Sequence, residues 1–241
     1  MADTIEVTRY LCKRFGQEKI HLMGHSFGTF IGLYAVKRQP DLYHSYIGIA
    51  QIVKQFDSEK IAYRYIIERY KEKGNDRMIK RMEKYNLSSM DTISLDYAVF
   101  RDGPMHHLGI GTMHDMKSVI SGIFLPVMKF SEYNFSEKIN FWKAKSFILN
   151  KTNLWETMMA TDIAKEIKSL DIPVYFMHGI YDYTVNYLLT KEYYETLETP
   201  LKGFYTFEQS AHSPVFEEPE KFMKILLEDV LPENNNNADK H

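Results

Sequence analysis

The chain has 241 residues, 44% of them hydrophobic and 26% charged, with a net charge of −2. That length supports one large domain or two small ones, and the near-balanced charge excludes nucleic acid or an anionic membrane as partners recruited by charge. No run approaches the roughly eighteen apolar residues of a membrane span, residues 1–20 lack a signal-peptide core, and Cys12 is the single cysteine, so a reducing cytoplasm is the expected setting.

The chain opens with a helix. Asp3 is the expected cap with Glu6 three positions on, and Ile5, Val7, Leu11 and Phe15 form an apolar side before Gly16 stops it. Residues 19–23 read as a short buried strand, and residues 27–38 as a helix with Phe27, Phe30, Ile31, Tyr34 and Ala35 at helical spacing. Between them stands Gly24-His25-Ser26-Phe27-Gly28. A G-x-S-x-G turn from strand to helix is a nucleophile elbow: the glycines let neighbouring atoms crowd the turn, and the serine is held out in a strained conformation. Its backbone sits at a helix N-terminus, where free N–H groups favour developing negative charge. After a break at Pro40-Asp41, residues 46–50 read as the next buried strand, completing a parallel strand–helix–strand crossover.

The alternation then stops. Residues 51–168 are mostly helical in pattern, with helices expected over 59–73, 77–85 and 135–157 and breaks at Gly103-Pro104 and Leu125-Pro126. Strands resume at residues 172–177 and 203–207, with a helix between them and a last helix over 219–230. The expected organisation is therefore a core of residues 1–50 and 169–233, a helical cap over 51–168, and a disordered polar tail, 234–241.

A serine hydroxyl is a poor nucleophile unless a base lies within reach and a third group fixes that base's tautomer. Asp182 and His212 each follow the end of an expected strand, where ligands bind in open parallel sheets. The order Ser26, Asp182, His212 is that of a hydrolase triad. With the elbow at 24–28, His178-Gly179-x-x-Asp182-x-x-Val185 as an acid turn and Ala211-His212 followed by Phe216-x-x-Pro219, the chain resembles the α/β-hydrolase superfamily, and within it the proline-iminopeptidase-like branch.

The resemblance implies a partial α/β-hydrolase fold, a mainly parallel sheet flanked by helices with an inserted helical cap. It implies a serine hydrolase, aminopeptidase or carboxylesterase, cleaving a small ester, amide or short peptide through an acyl-enzyme. Ser26 would attack, His212 would shuttle the proton, Asp182 would orient the imidazole and the Phe27 N–H would hold part of the oxyanion. Neither metal nor organic cofactor is implied. Members of the family normally carry further strands and a glycine-rich oxyanion loop ahead of the nucleophile strand, and nothing here corresponds to them. The chain therefore reads as N-terminally truncated and weakly active, with the 19–23 strand as an open sheet edge for a second copy or a partner chain. The alternative is a non-catalytic remnant that serves assembly.

Other residues invite weaker readings. Asp57 is a substitute acid, and His25 reads as a packing neighbour of the nucleophile. His106, His107 and His114 match no zinc-ligand spacing and are assigned structural or lid roles. Trp142, Trp155, Phe124 and Tyr133 line either an acyl pocket or the core. The branch likeness further implies an acidic cap residue for a substrate α-amino group, with Glu132, Glu137 and Glu156 as candidates. Asn86-x-Ser88, Asn134-x-Ser136 and Asn150-x-Thr152 match the glycosylation acceptor pattern by coincidence.

Overall fold

The computed structural model describes residues 1–87 and 93–240, so Ser88 of the first acceptor pattern lies outside the described residues. Helix α1 (Ala2–Phe15) ends at Gly16, whose left-handed backbone (φ 63°, ψ 32°) returns its N–H to Cys12 O. Asp3 does not cap this helix. It lies inside the first turn, where its charge meets the positive end of the helix dipole instead.

Strands β1 (Ile20–His25), β2 (Tyr43–Ile49), β3 (Val174–Gly179) and β4 (Lys202–Phe207) form one sheet in the order β1-β2-β3-β4, parallel throughout. Helix α2 (Phe27–Arg38) joins β1 to β2, and α11 (Tyr187–Thr196) joins β3 to β4. Alternate residues bury on opposite faces. Tyr46, Val174, Phe176 and Phe204 lie with Leu33 and Val36 of α2, whereas Tyr175, Met177, Tyr205 and Phe207 lie under Phe222 and Ile225 of α13 (Pro219–Ile225). Both faces are therefore covered, as expected where crossover connections place helices on the faces of a parallel sheet. β3 starts later than its apolar run because Pro173 has no N–H for the ladder; its carbonyl still accepts from Tyr46 N at 2.9 Å.

The long block between β2 and β3 holds α3 (Gln55–Glu72), α4 (Asp76–Glu83), α5 (Leu95–Phe100), α6 (Asp102–Leu108), α7 (Leu125–Lys129), α8 (Phe135–Lys151), α9 (Leu154–Ala160) and α10 (Ile163–Glu166). Its apolar residues fall into two groups. Ala62, Ile66, Tyr70, Met82, Tyr97 and Met105 build a cluster of their own, while Met158, Ile163 and Ile167 join the sheet's first face. The helix expected over 135–157 is in fact two. Thr152 Oγ1 bonds back to Ile148 O and accepts from Leu154 N, so its hydroxyl competes with the helical ladder and starts a new helix.

The two outer strands are treated differently. The polar residues 234–240, expected to be disordered, run beside β4: Asp239 N donates to Phe204 O, Thr206 N to the Asp239 carboxylate, and Asn235 Nδ2 to Lys202 O. These groups meet edge atoms that β4 would otherwise leave to water. Among the described residues no strand pairs with the outer edge of β1, where Met23 is 42% exposed. No described helix is long and apolar enough to cross a membrane.

Candidate active site

Ser26 occupies the turn between β1 and α2 with φ 54° and ψ −122°, a conformation that costs a non-glycine residue on the order of 1–3 kcal/mol. The turn is held to β2 by Ser26 N donating to Ile49 O at 3.0 Å. Gly24 is sterically obligatory, since a Cβ there would stand 2.7 Å from Gly28 O and 2.9 Å from Thr29 Cα. Gly28 is not: an added Cβ meets nothing within 4 Å, so only the first glycine relieves crowding. The Ser26 hydroxyl makes no hydrogen bond among the described residues, to His212 or any other, and Ser26 lines a cavity of about 350 Å³. Phe27 is the first residue of α2, so its N–H is among the amides that a helix start leaves without an intrahelical acceptor.

Asp182 and His212 arrive from the loops after β3 and β4. His212 Nδ1 lies 2.8 Å from Asp182 Oδ2, and because a carboxylate only accepts, this nitrogen carries a proton, so Nε2 is the nitrogen that holds the lone pair whenever the imidazole is neutral. Asp182 is buried, and its other oxygen accepts from Val185 N at 2.9 Å. A second histidine completes the arrangement: His178 Nε2 lies 3.1 Å from both Asp182 Oδ2 and Val185 O, so its proton is shared between them. Burial alone would raise the Asp182 pKa. The His212 charge and the hydrogen bonds from His178 and His212 outweigh it and hold the carboxyl well below the usual range.

His25 packs against His212 with ring centroids 4.9 Å apart and the planes tilted by 41°, and its Nε2–H donates to His212 O at 2.7 Å. Burial first, and then the neighbouring His212, lower the His25 pKa to about 4, so it stays neutral and acts as a strut between the elbow and the histidine loop. Asp57, the substitute acid, points to solvent on α3 and makes no contact with His212.

The cavity at Ser26 is walled by Phe27, Ile52, Trp155, Met158 and Val185, with Gln55, Arg101 and Thr184 among its polar lining. Arg101 Nη2 lies 2.9 Å from Glu59 Oε1, and both groups are buried. Burial raises the Glu59 carboxyl, and the Arg101 guanidinium pulls it the other way. Gln55 Nε2 joins this pair to Thr184 O at 2.8 Å, linking α3 to the acid turn.

Of the aromatic candidates, Trp155 lines this cavity and Tyr133 a second one beside His25 and Ser213; Phe124 instead packs on Trp142, rings 5.5 Å apart. Glu132, Glu137 and Glu156 are exposed, and Glu137 is committed to the capping box that starts α8. His106, His107 and His114 bond to Thr112, Tyr70 and Gly109 respectively, and the described residues contain no cluster of three or more side chains placed to hold a metal ion. Sequence reasoning quoted His178 as part of a motif without a role, and passed over Gln55, Glu59 and Arg101, whose burial no local pattern displays.

Residues 1–78 match the family profile of the alpha/beta hydrolase fold. With the parallel sheet and the inserted helices, the chain has the alpha/beta hydrolase fold. It is 29% identical over 224 residues to the probable aminopeptidase YbaC of Bacillus subtilis, covering 93% of this chain and 69% of that protein. Among solved structures it resembles proline iminopeptidase of Mycobacterium smegmatis, with a TM-score of 0.53 and 13% identity over 92% of this chain and 68% of that one. The esterase EaEST of Exiguobacterium antarcticum gives a TM-score of 0.50 at 13% identity, over 92% and 70% of the two chains.

Proposed function

We propose that the chain is a serine hydrolase acting on a small ester, amide or short peptide through an acyl-enzyme. The observation that carries this reading is the hydrogen-bonded Asp182–His212 pair, joined through His25 to the turn of a strained serine that lines a largely apolar cavity. In the proposed cycle Ser26 Oγ attacks the carbonyl carbon while His212 Nε2 takes its proton. The Phe27 N–H receives the developing oxyanion, and the imidazolium then protonates the leaving amine or alcohol. Water repeats the sequence on the acyl-enzyme. The relative in Bacillus subtilis, named a probable aminopeptidase, makes an aminopeptidase the first class to test, with a carboxylesterase second.

Labelling by a fluorophosphonate probe, with proline and alanine arylamides beside short acyl nitrophenyl esters, tests the proposal. Ser26→Ala is expected to abolish labelling and turnover. Labelling that persists in that variant, or a wild-type chain that neither labels nor turns over any member of the panel, overturns it. The open edge of β1 favours a second reading, assembly through that strand, in which the fold serves association and not turnover.

A further inference from the structure

The loop that carries His212 is held by groups outside the triad. His212 N donates to Gly111 O at 3.3 Å. The amides on either side, Ala211 N and Ser213 N, both donate to Glu217 Oε1, at 3.0 and 3.2 Å. Glu217 stands at the end of the short helix α12 (Pro214–Glu217), and its second oxygen accepts from His114 N at 2.6 Å. One carboxylate thus spans both flanks of the histidine and reaches across to the inserted block.

The segment it reaches also touches the acid turn. Tyr183 N donates to Ile110 O at 3.2 Å, and His114 stacks on Tyr181 with ring centroids 3.9 Å apart. Residues 109–114 therefore brace Asp182 and His212 together. The start of the histidine loop has a separate anchor, because Glu218 Oε2 accepts from Gln209 N and Ser210 Oγ. Hydrogen bonds from amides to a carboxylate are roughly twice as strong as neutral ones, so the two from Ala211 and Ser213 restrain the backbone on both sides of His212 while the third ties it to residue 114.

We propose that Glu217 is a positioning residue for His212: its carboxylate fixes the backbone on both sides of the imidazole and, through His114, makes the Asp182–His212 geometry depend on the seating of residues 109–114. Glu217 touches no reacting atom in this scheme. The inference rests on the reading of Ser26, Asp182 and His212 as a hydrolase site, and it is tested by one measurement that needs no activity and one that does.

In the ¹⁵N-labelled 241-residue chain the far-downfield Nδ1–H proton of His212, assigned by its loss in His212→Ala, reports the bond to Asp182. Glu217→Ala is expected to broaden or abolish this resonance while the chain keeps a cooperative thermal transition. It is also expected to slow fluorophosphonate labelling about ten- to a hundredfold, the scale that a displacement of ~1 Å produces. Glu217→Gln keeps an oxygen for Ala211 and Ser213 and loses only the acceptor for His114, so it should show a smaller loss, about threefold in labelling, with a shifted but visible resonance. A wild-type resonance and labelling within twofold in Glu217→Ala overturn the proposal, and if that variant does not fold, wild-type behaviour of Glu217→Gln does so. A wild-type chain that shows the resonance but never labels overturns the hydrolase reading and leaves the resonance comparison to judge Glu217.

Discussion

His25 shows how a residue beside the proposed nucleophile becomes part of the scaffold. Its folded pKa of about 4, lowered by burial and by His212, lies below the ordinary value of 6.5, so between those limits the unfolded chain binds a proton that the folded chain does not. Its stabilising contribution is complete above pH 6.5 and is lost as pH falls toward 4. Urea midpoints at pH 7 and 4.5 should show a loss of stability that is smaller in His25→Gln by about 2 kcal/mol; equal losses in the two proteins would refute the strut. Gly179 makes a second prediction at this scale. A Cβ there would stand 2.1 Å from Ala211 O and 2.3 Å from Ser210 O, backbone atoms that cannot swing aside. Gly179→Ala should therefore push the acid turn away from the histidine loop and cost about 2 kcal/mol or more in thermal unfolding, with slowed serine labelling.

Among the elements, α3 ties the inserted helices to the sheet. From one helix Ser58 Oγ accepts from Asn186 N, Gln55 reaches Thr184 O, and Glu59 holds the Arg101 guanidinium. A buried ion pair adds little over a well-packed apolar pair, but removing one partner strands a charge in the interior. Arg101→Ala is expected to cost about 3–5 kcal/mol in urea unfolding at pH 7, and Glu59→Gln in the same chain should recover part of it. Arg101→Ala also alters the polar lining of the cavity at Ser26, so arylamide and ester selectivity should change with it.

For the whole molecule, the contrast between the two sheet edges matters most. β4 is shielded by the 234–240 segment, whereas among the described residues no strand pairs with the outer edge of β1, where Met23 is exposed. Open strands of this kind pair with other chains unless charge or strand irregularity prevents it. Light scattering across a concentration series should show association that Met23→Lys suppresses; a strictly monomeric wild-type chain would remove the assembly reading.

The sequence by itself determined the local and periodic features. The elbow, the parallel crossover and the order Ser26, Asp182, His212 were legible because strand and helix periods and the Gly24 turn are encoded within a few neighbouring residues. The left-handed stop at Gly16 followed from the same short-range rules, whereas the split near Thr152 depended on one hydroxyl choosing a backbone partner. Only the tertiary structure decided which far-separated groups meet: Glu217 with His114 across 103 positions, the placement of His178 on Asp182, the Arg101–Glu59 pair, and the polar tail against β4. The physical reason is that a hydrophobic period records which side of an element is buried, while the partner of a buried polar group is set by how distant elements close over it.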